Sequence, residues 1–173
     1  MLELRPNLRL SVSVTTRPPR TTERDGADYR FVSDAEFDRL IGAGELLEWA
    51  EIFGHRSGTP KAPVGEALES GTDLVLELDV QGARQVRERS PGAVLILLEP
   101  PSLEELERRL RSRGTEDEVR LAERLAKAGW ELDQRAWFDH VVTNDDVEAA
   151  AARVAAIIER ASQDASTEGT PLQ

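Results

Sequence analysis

Two apolar runs, residues 74–78 and 94–98, each hand over to a helical pattern, and this alternation restricts the chain more than any other feature. The first run ends in Asp79 and precedes a helix with Val86 on its inner face. The second leads to Ser102-Leu103-Glu104-Glu105, a capping box that opens a helix with Leu103, Leu106 and Leu110 on one face. Strand followed by helix followed by strand implies crossover connections, and those give parallel sheets flanked by helices. The expected fold class is α/β.

The flanking segments add smaller elements. Arg9-Leu10-Ser11-Val12-Ser13-Val14-Thr15 alternates apolar and polar, as one strand would. Thr16-Arg17-Pro18-Pro19-Arg20 follows as an extended loop, because proline fixes φ and biases its predecessor away from helix. Asp25-Gly26 marks a turn before a short strand at residues 29–32. Ser33-Asp34-Ala35-Glu36 is a second capping box, and Phe37, Leu40 and Ile41 form its helix's apolar stripe. Leu46-Leu47-Glu48-Trp49 reads as a strand, Gly58-Thr59 as a turn, and Pro63 as the start of a helix that stops at Gly71. Arg113-Gly114-Thr115-Glu116 breaks the later helical region, after which Leu121, Leu125 and Trp130 mark a longer helix. His140-Val141-Val142-Thr143 is a final strand, and Asn144-Asp145-Asp146 caps a helix through Val154, Ile157 and Ile158. The polar stretch 162–173 is expected to be a disordered tail.

Length and composition narrow the function. A chain of 173 residues suits one domain, and 39% hydrophobic with 32% charged residues suits a globular one. A net charge of −11 argues against nonspecific nucleic-acid binding. The absence of cysteine excludes disulfides, thiolate metal sites and a cysteine nucleophile. No apolar run approaches the roughly 20 residues that span a bilayer, and the first residues lack a secretory pattern, so no membrane and a cytoplasmic location are expected.

Three groups of residues carry chemistry. Ser13, Arg17 and Arg20 surround a proline-stiffened loop near Tyr29. Two guanidinium forks and a phenol suit a phosphate monoester, although two loop arginines serve equally well as a solvated surface. Glu48, Thr59 and Asp79 form the second group. Glu48 sits between an apolar pair and Trp49, where a partly buried carboxylate needs N–H donors and an exposed one needs nothing. Asp79, at the carboxyl end of a strand, is placed either to support Mg²⁺ through water or simply to cap the next helix, with Glu77 directed to the same face. Arg113 and Arg124 flank a hinge-like break and suit a mobile cationic lid, or a solvated charged helix. Arg108, Arg109 and Arg111 have glutamate partners one helical turn away and read as surface.

Several segments together carry a resemblance. Residues 11–20, Asp25-Gly26-Ala27-Asp28-Tyr29, residues 45–50, Asp79-Val80-Gln81-Gly82, Pro100-Pro101-Ser102 and Arg113-Gly114-Thr115-Glu116 resemble the guanylate kinase family, in its order and spacing. The resemblance implies a P-loop-kinase-like parallel sheet with a small mixed-sheet GMP-binding subdomain at residues 12–73 and a helical lid at residues 111–125. It implies ATP-dependent phosphorylation of GMP to GDP, with Mg²⁺ accompanying the ATP. GMP-phosphate contacts are implied for Arg17, Arg20 and Tyr29, with Ser13 near the base. Guanine contacts are implied for Glu48, Thr59 and Asp79, lid functions for Arg113 and Arg124, and an adenine-side position for Asn144.

The sequence also departs from that family. No G-x-x-x-x-G-K-[ST] phosphate-binding loop occurs among the 173 residues, since Lys61 follows Pro60 and Lys127 follows Ala126. The chain is therefore expected to be an N-terminally truncated member, inactive or weakly active, or a non-catalytic module that binds GMP or a phosphorylated ligand. Ser57 stands where many members have tyrosine, so one phosphate hydroxyl contact is expected to be either shortened or taken over by Arg56. Glu77 stands where aspartate is common.

Overall fold

The computed structural model describes residues 7–113 and 117–168. The chain divides between Ala93 and Val94 into two compact units. Both are α/β.

The first unit holds two sheets. Strand β1 (Leu8–Leu10) pairs in parallel with β6 (Asp73–Val75), Leu8 opposite Asp73. The second sheet is four-stranded and mixed, in the order β3 (Arg30–Phe31), β2 (Val14–Thr15), β5 (His55–Pro60), β4 (Leu46–Ile52). Strand β2 runs parallel to β3 and antiparallel to β5. Helix α1 (Asp34–Gly42) packs Phe37 and Leu40 against Val14 and Leu46, with Val32 and Ile41 around them. The serine half of its capping box forms, with the Glu36 amide donating to Ser33 Oγ, while the Glu36 carboxylate turns to Arg30 and Arg39 instead. Helices α2 (Lys61–Glu69) and α3 (Val80–Arg89) complete the unit.

The second unit pairs β7 (Ile96–Glu99) with β8 (His140–Thr143) in parallel. Helix α4 (Leu103–Arg113), helix α5 (Glu118–Asp133) and a short 3-10 turn (Arg135–Trp137) lie between those strands in sequence. Helix α6 (Val147–Glu168) follows, and its Ala150 and Val154 pack on Val142.

Four expectations are corrected. The alternating run 9–15 is two strands, not one. The Ser11 amide still donates to Val75 in the parallel pair, whereas the Ser13 carbonyl already accepts from Arg30 in the mixed sheet. The chain changes sheets within two residues, and partner choice, not periodicity, decides where each half belongs. Gly58 and Thr59 lie in β5, opposite Trp49 and Glu48, because the hairpin turns earlier, at Phe53-Gly54, both at positive φ (52° and 77°). Strand β6 ends at Val75, and residues 76–79 run on without a ladder. Helix α6 continues to Glu168, so residues 162–168 are helical where the sequence suggests a disordered tail. Residues 114–116, the expected break, lie outside the described residues; α5 resumes behind an Asp117 cap.

Candidate functional site

The hairpin of β4 and β5 sets Glu48 directly across from Thr59. Thr59 Oγ1 donates to Glu48 Oε1 at 2.7 Å. Thr59 is fully buried and Glu48 is only 4% exposed. The other oxygen, Oε2, faces the first turn of α3. A Cβ at Gly82 would collide with it, so only glycine leaves room for the carboxylate there. Asp79 caps this helix, accepting from the Gly82 amide at 2.9 Å and from Gln81 Nε2 at 3.2 Å.

Helix α3 is fastened to the strand on either side of Glu48. Gln85 Nε2 donates to the Trp49 carbonyl and Gln85 Oε1 accepts from the Trp49 amide, at 2.6 and 3.3 Å. Arg89 Nη1 donates to the Leu47 carbonyl. Sequence reasoning misses both side chains; their one signal is a spacing of four on a helix that follows a predicted strand.

Burial pushes the Glu48 carboxyl above the usual carboxylate range, and the nearby charge of Asp79 adds to this, while the Thr59 bond opposes it. Among the described residues, Thr59 is its only side-chain hydrogen-bond partner. A carboxylate can accept about four hydrogen bonds. The arrangement is thus an acceptor held out of water and short of donors, suited to a flat ligand edge bearing adjacent N–H groups.

The loop after β2 carries the second group. Arg17 forms a two-pronged ion pair with Glu23: Nη2 to Oε1 at 2.8 Å and Nη1 to Oε2 at 3.0 Å. Its guanidinium lies 5.4 Å from the Tyr29 ring centre and 5.8 Å from that of Phe31. The Arg20 amide also donates to Glu23, at 2.7 Å, and the Arg20 side chain stands largely in solvent. Arg17, Arg20 and Tyr29 are therefore gathered in one place, as the sequence suggests, around a glutamate that it does not single out. These contacts hold the Glu23 carboxyl below its usual range, the Arg17 hydrogen bonds most of all. Ser13 is half-buried at the entry to β2, and Glu77 is exposed.

The two groups share a sheet face. Ser57 Oγ donates to Thr15 Oγ1 at 2.9 Å, and the Arg17 amide donates to the same oxygen at 3.2 Å. Thr59 is two residues beyond Ser57 on β5, so it points to the same side about 7 Å further along. Arg56, expected to take over a phosphate contact, faces the other way. Asp34 and Asp38 of α1 hold its guanidinium over the Phe37 ring, 4.9 Å from the ring centre.

The second unit carries Arg124 on α5 and Asn144 after β8. The side chain of Arg113 lies outside the described residues. Asn144 borders a cavity of about 200 Å³ whose apolar walls include Leu98, Leu106 and Leu110. Asn144 Oδ1 is buried with no hydrogen-bond partner among the described residues. Arg109, which reads as surface in the sequence, does pair with Glu105 but also donates to the Asn144 carbonyl at 2.9 Å. Glu99 and Arg109 also line this cavity.

Among the described residues no three His, Cys, Asp or Glu side chains gather as metal ligands, and no helix is long and apolar enough to cross a membrane. Asp79 accepts protein hydrogen bonds through both oxygens, which does not fit direct coordination of Mg²⁺.

The guanylate kinase family profile matches residues 3–161. The chain is 56% identical over 147 residues to the guanylate kinase of Nocardia farcinica, covering 84% of this chain and 76% of that protein. It is 53% identical over 143 residues to that of Thermosynechococcus vestitus, covering 83% and 75%. Its structure is similar to the crystal structure of guanylate kinase from Anaplasma phagocytophilum, with a TM-score of 0.78 and 36% identity over 91% of this chain and 78% of that one.

Proposed function

The chain belongs to the guanylate kinase family, and from that premise we propose that its first unit binds GMP for phosphorylation to GDP, with ATP as donor. The observation that carries this reading is the buried, donor-poor Glu48 carboxylate beside Thr59 and Gly82. Guanine offers N1–H and a 2-amino group on one edge, and a carboxylate accepts from both. Asp79 adds an acceptor at the start of α3. Arg17, Arg20 and the Tyr29 hydroxyl bind the GMP phosphate, with Ser13 at the β2 entry and Glu77 at the rim. Residues 12–73 form the GMP-binding subdomain.

In the transfer, the γ-phosphoryl group leaves ATP for a phosphate oxygen of GMP, and ADP departs. Arginines at the acceptor phosphate reduce the repulsion between the two anions and orient the attacking oxygen. Arg113 and Arg124, within the lid 111–125, follow the charge as it moves between phosphates. Asn144 Oδ1 accepts from the adenine amino group at the cavity in the second unit. Mg²⁺ accompanying ATP would supply positive charge at its phosphates, and Asp79, whose oxygens already accept from Gly82 and Gln81, would hold it through water. The location is cytoplasmic.

A second reading, a module that binds GMP without transferring phosphate, has one observation in its favour: the 173 residues contain no G-x-x-x-x-G-K-[ST] sequence. Calorimetry with GMP and ATP, together with an ADP-release assay on the 173-residue polypeptide, separates the two. GMP binding with little or no turnover is expected. Turnover near that of a relative that carries this motif would show that other residues bind the ATP phosphates, and failure to bind GMP would remove both readings.

A further inference from the structure

The Arg17–Glu23 pair is a two-pronged ion pair beside the proposed phosphate site, yet neither the family resemblance nor the transfer chemistry assigns Glu23 a part. Its carboxylate accepts both Nη groups of Arg17 and the backbone amide of Arg20. Arg17 Nη1 also donates to the Pro18 carbonyl at 2.8 Å. Among the described residues, Nε and the second hydrogen of Nη2 have no partner. The end of the guanidinium is thus taken, and its side edge is left for an anion.

We infer that Glu23 is a positioning residue for GMP: it holds Arg17 by the end of its guanidinium, so that the Nε edge is presented to the phosphate, and it stays in place when the nucleotide binds. This rests on the assignment of Arg17 and Arg20 to the GMP phosphate. The other possibility is that Glu23 stands in for the phosphate and must be displaced. Three features argue against displacement. The Glu23 side chain is only 12% exposed. It is tied to the backbone of the turn that contains it, where the Glu23 amide donates to the Arg20 carbonyl at 3.0 Å. Leaving would also strip three donors of their acceptor at once. The guanidinium lies over the Tyr29 and Phe31 rings, so Glu23 and the rings together restrict its orientation.

The two possibilities differ in sign. Removing a carboxylate from an anion site favours the anion by simple attraction, whereas removing a positioning residue weakens binding. Calorimetric titration of the 173-residue chain with GMP and with guanosine, which lacks the phosphate, decides between them. Glu23→Gln is expected to weaken GMP about tenfold, leave guanosine unchanged, and have little further effect once Arg17→Ala is present. Tighter or unchanged GMP binding by Glu23→Gln overturns the inference. So does an equal loss for GMP and guanosine, which would mark general damage to the fold. Should Glu23→Gln fail to fold, Glu23→Asp keeps the charge one methylene short of the fork and is judged by the same criteria. Unchanged GMP binding by Arg17→Ala would instead remove the phosphate assignment itself.

Discussion

Two glutamates in the first unit meet opposite treatment. Glu48 is buried, has a neutral hydroxyl for a partner, and is held above the usual carboxylate range by desolvation. Glu23 has an arginine fork and a backbone amide, and is held below that range by those bonds. The first is an acceptor kept unsatisfied in the free protein. The second is already satisfied and serves to fix something else. The comparison separates a group that waits for ligand from a group that prepares the site for one.

The comparison breaks most visibly at Glu48. Glu48→Gln keeps the shape, removes the charge, and places an amide against guanine donors. GMP affinity is expected to fall about a hundredfold, in line with about 1.5–3 kcal/mol for each hydrogen bond to a charged group. Thermal stability at neutral pH is expected to hold or rise, because a buried charge without a full set of partners is removed. A variant that loses stability and keeps GMP would reverse the roles given to Glu48.

Gly82→Ala attacks the same carboxylate from the helix side. The added methyl would meet Glu48 Oε2, so the carboxylate or the first turn of α3 must shift. The expected cost is about 1–3 kcal/mol of stability by chemical denaturation, with weaker GMP binding. A neutral result would mean that Glu48 has room to move and is not held in register.

The smallest effect is a difference in pH dependence, and its sign differs between the glutamates. For Glu48 the folded pKa lies above the unfolded one, so its neutral form is easily kept at low pH. Its penalty appears as pH rises through the ordinary carboxylate range and on to the raised value. For Glu23 the folded pKa lies below the unfolded one. Its contribution is present above the unfolded value and is lost as pH falls through the lowered one. Stability profiles of Glu48→Gln and Glu23→Gln relative to the parent chain are therefore expected to slope in opposite directions across the acidic range. Parallel slopes would erase the distinction.

Much of this is legible in the sequence where the cause is local. The serine caps at Ser33 and Ser102 form because each needs only a side chain and an amide three residues away. The burial of Glu48 follows from its apolar neighbours, and its opposition to Thr59 makes it a site. What escapes the sequence depends on distant partners. The split between β1 and β2 depends on which sheet offers a free edge. Arg56 turns to α1 because Asp34 and Asp38 wait there, which no spacing along β5 reveals. The extension of α6 is hidden because the polar residues 162–168 look unstructured, although polarity does not forbid helix. Glu23 goes unnoticed because a loop glutamate has no periodicity to mark it.

The role of Glu48 is tested most directly by its own titration, followed by carboxyl-carbon NMR on glutamate-labelled protein with and without GMP, with Glu48→Gln to assign the signal. The free protein is expected to show Glu48 titrating above the usual carboxylate range, and bound GMP is expected to lower that pKa by supplying N–H donors to the charged form. An ordinary pKa in the free protein, or one that GMP leaves unmoved, would contradict the assignment of Glu48 as the guanine acceptor.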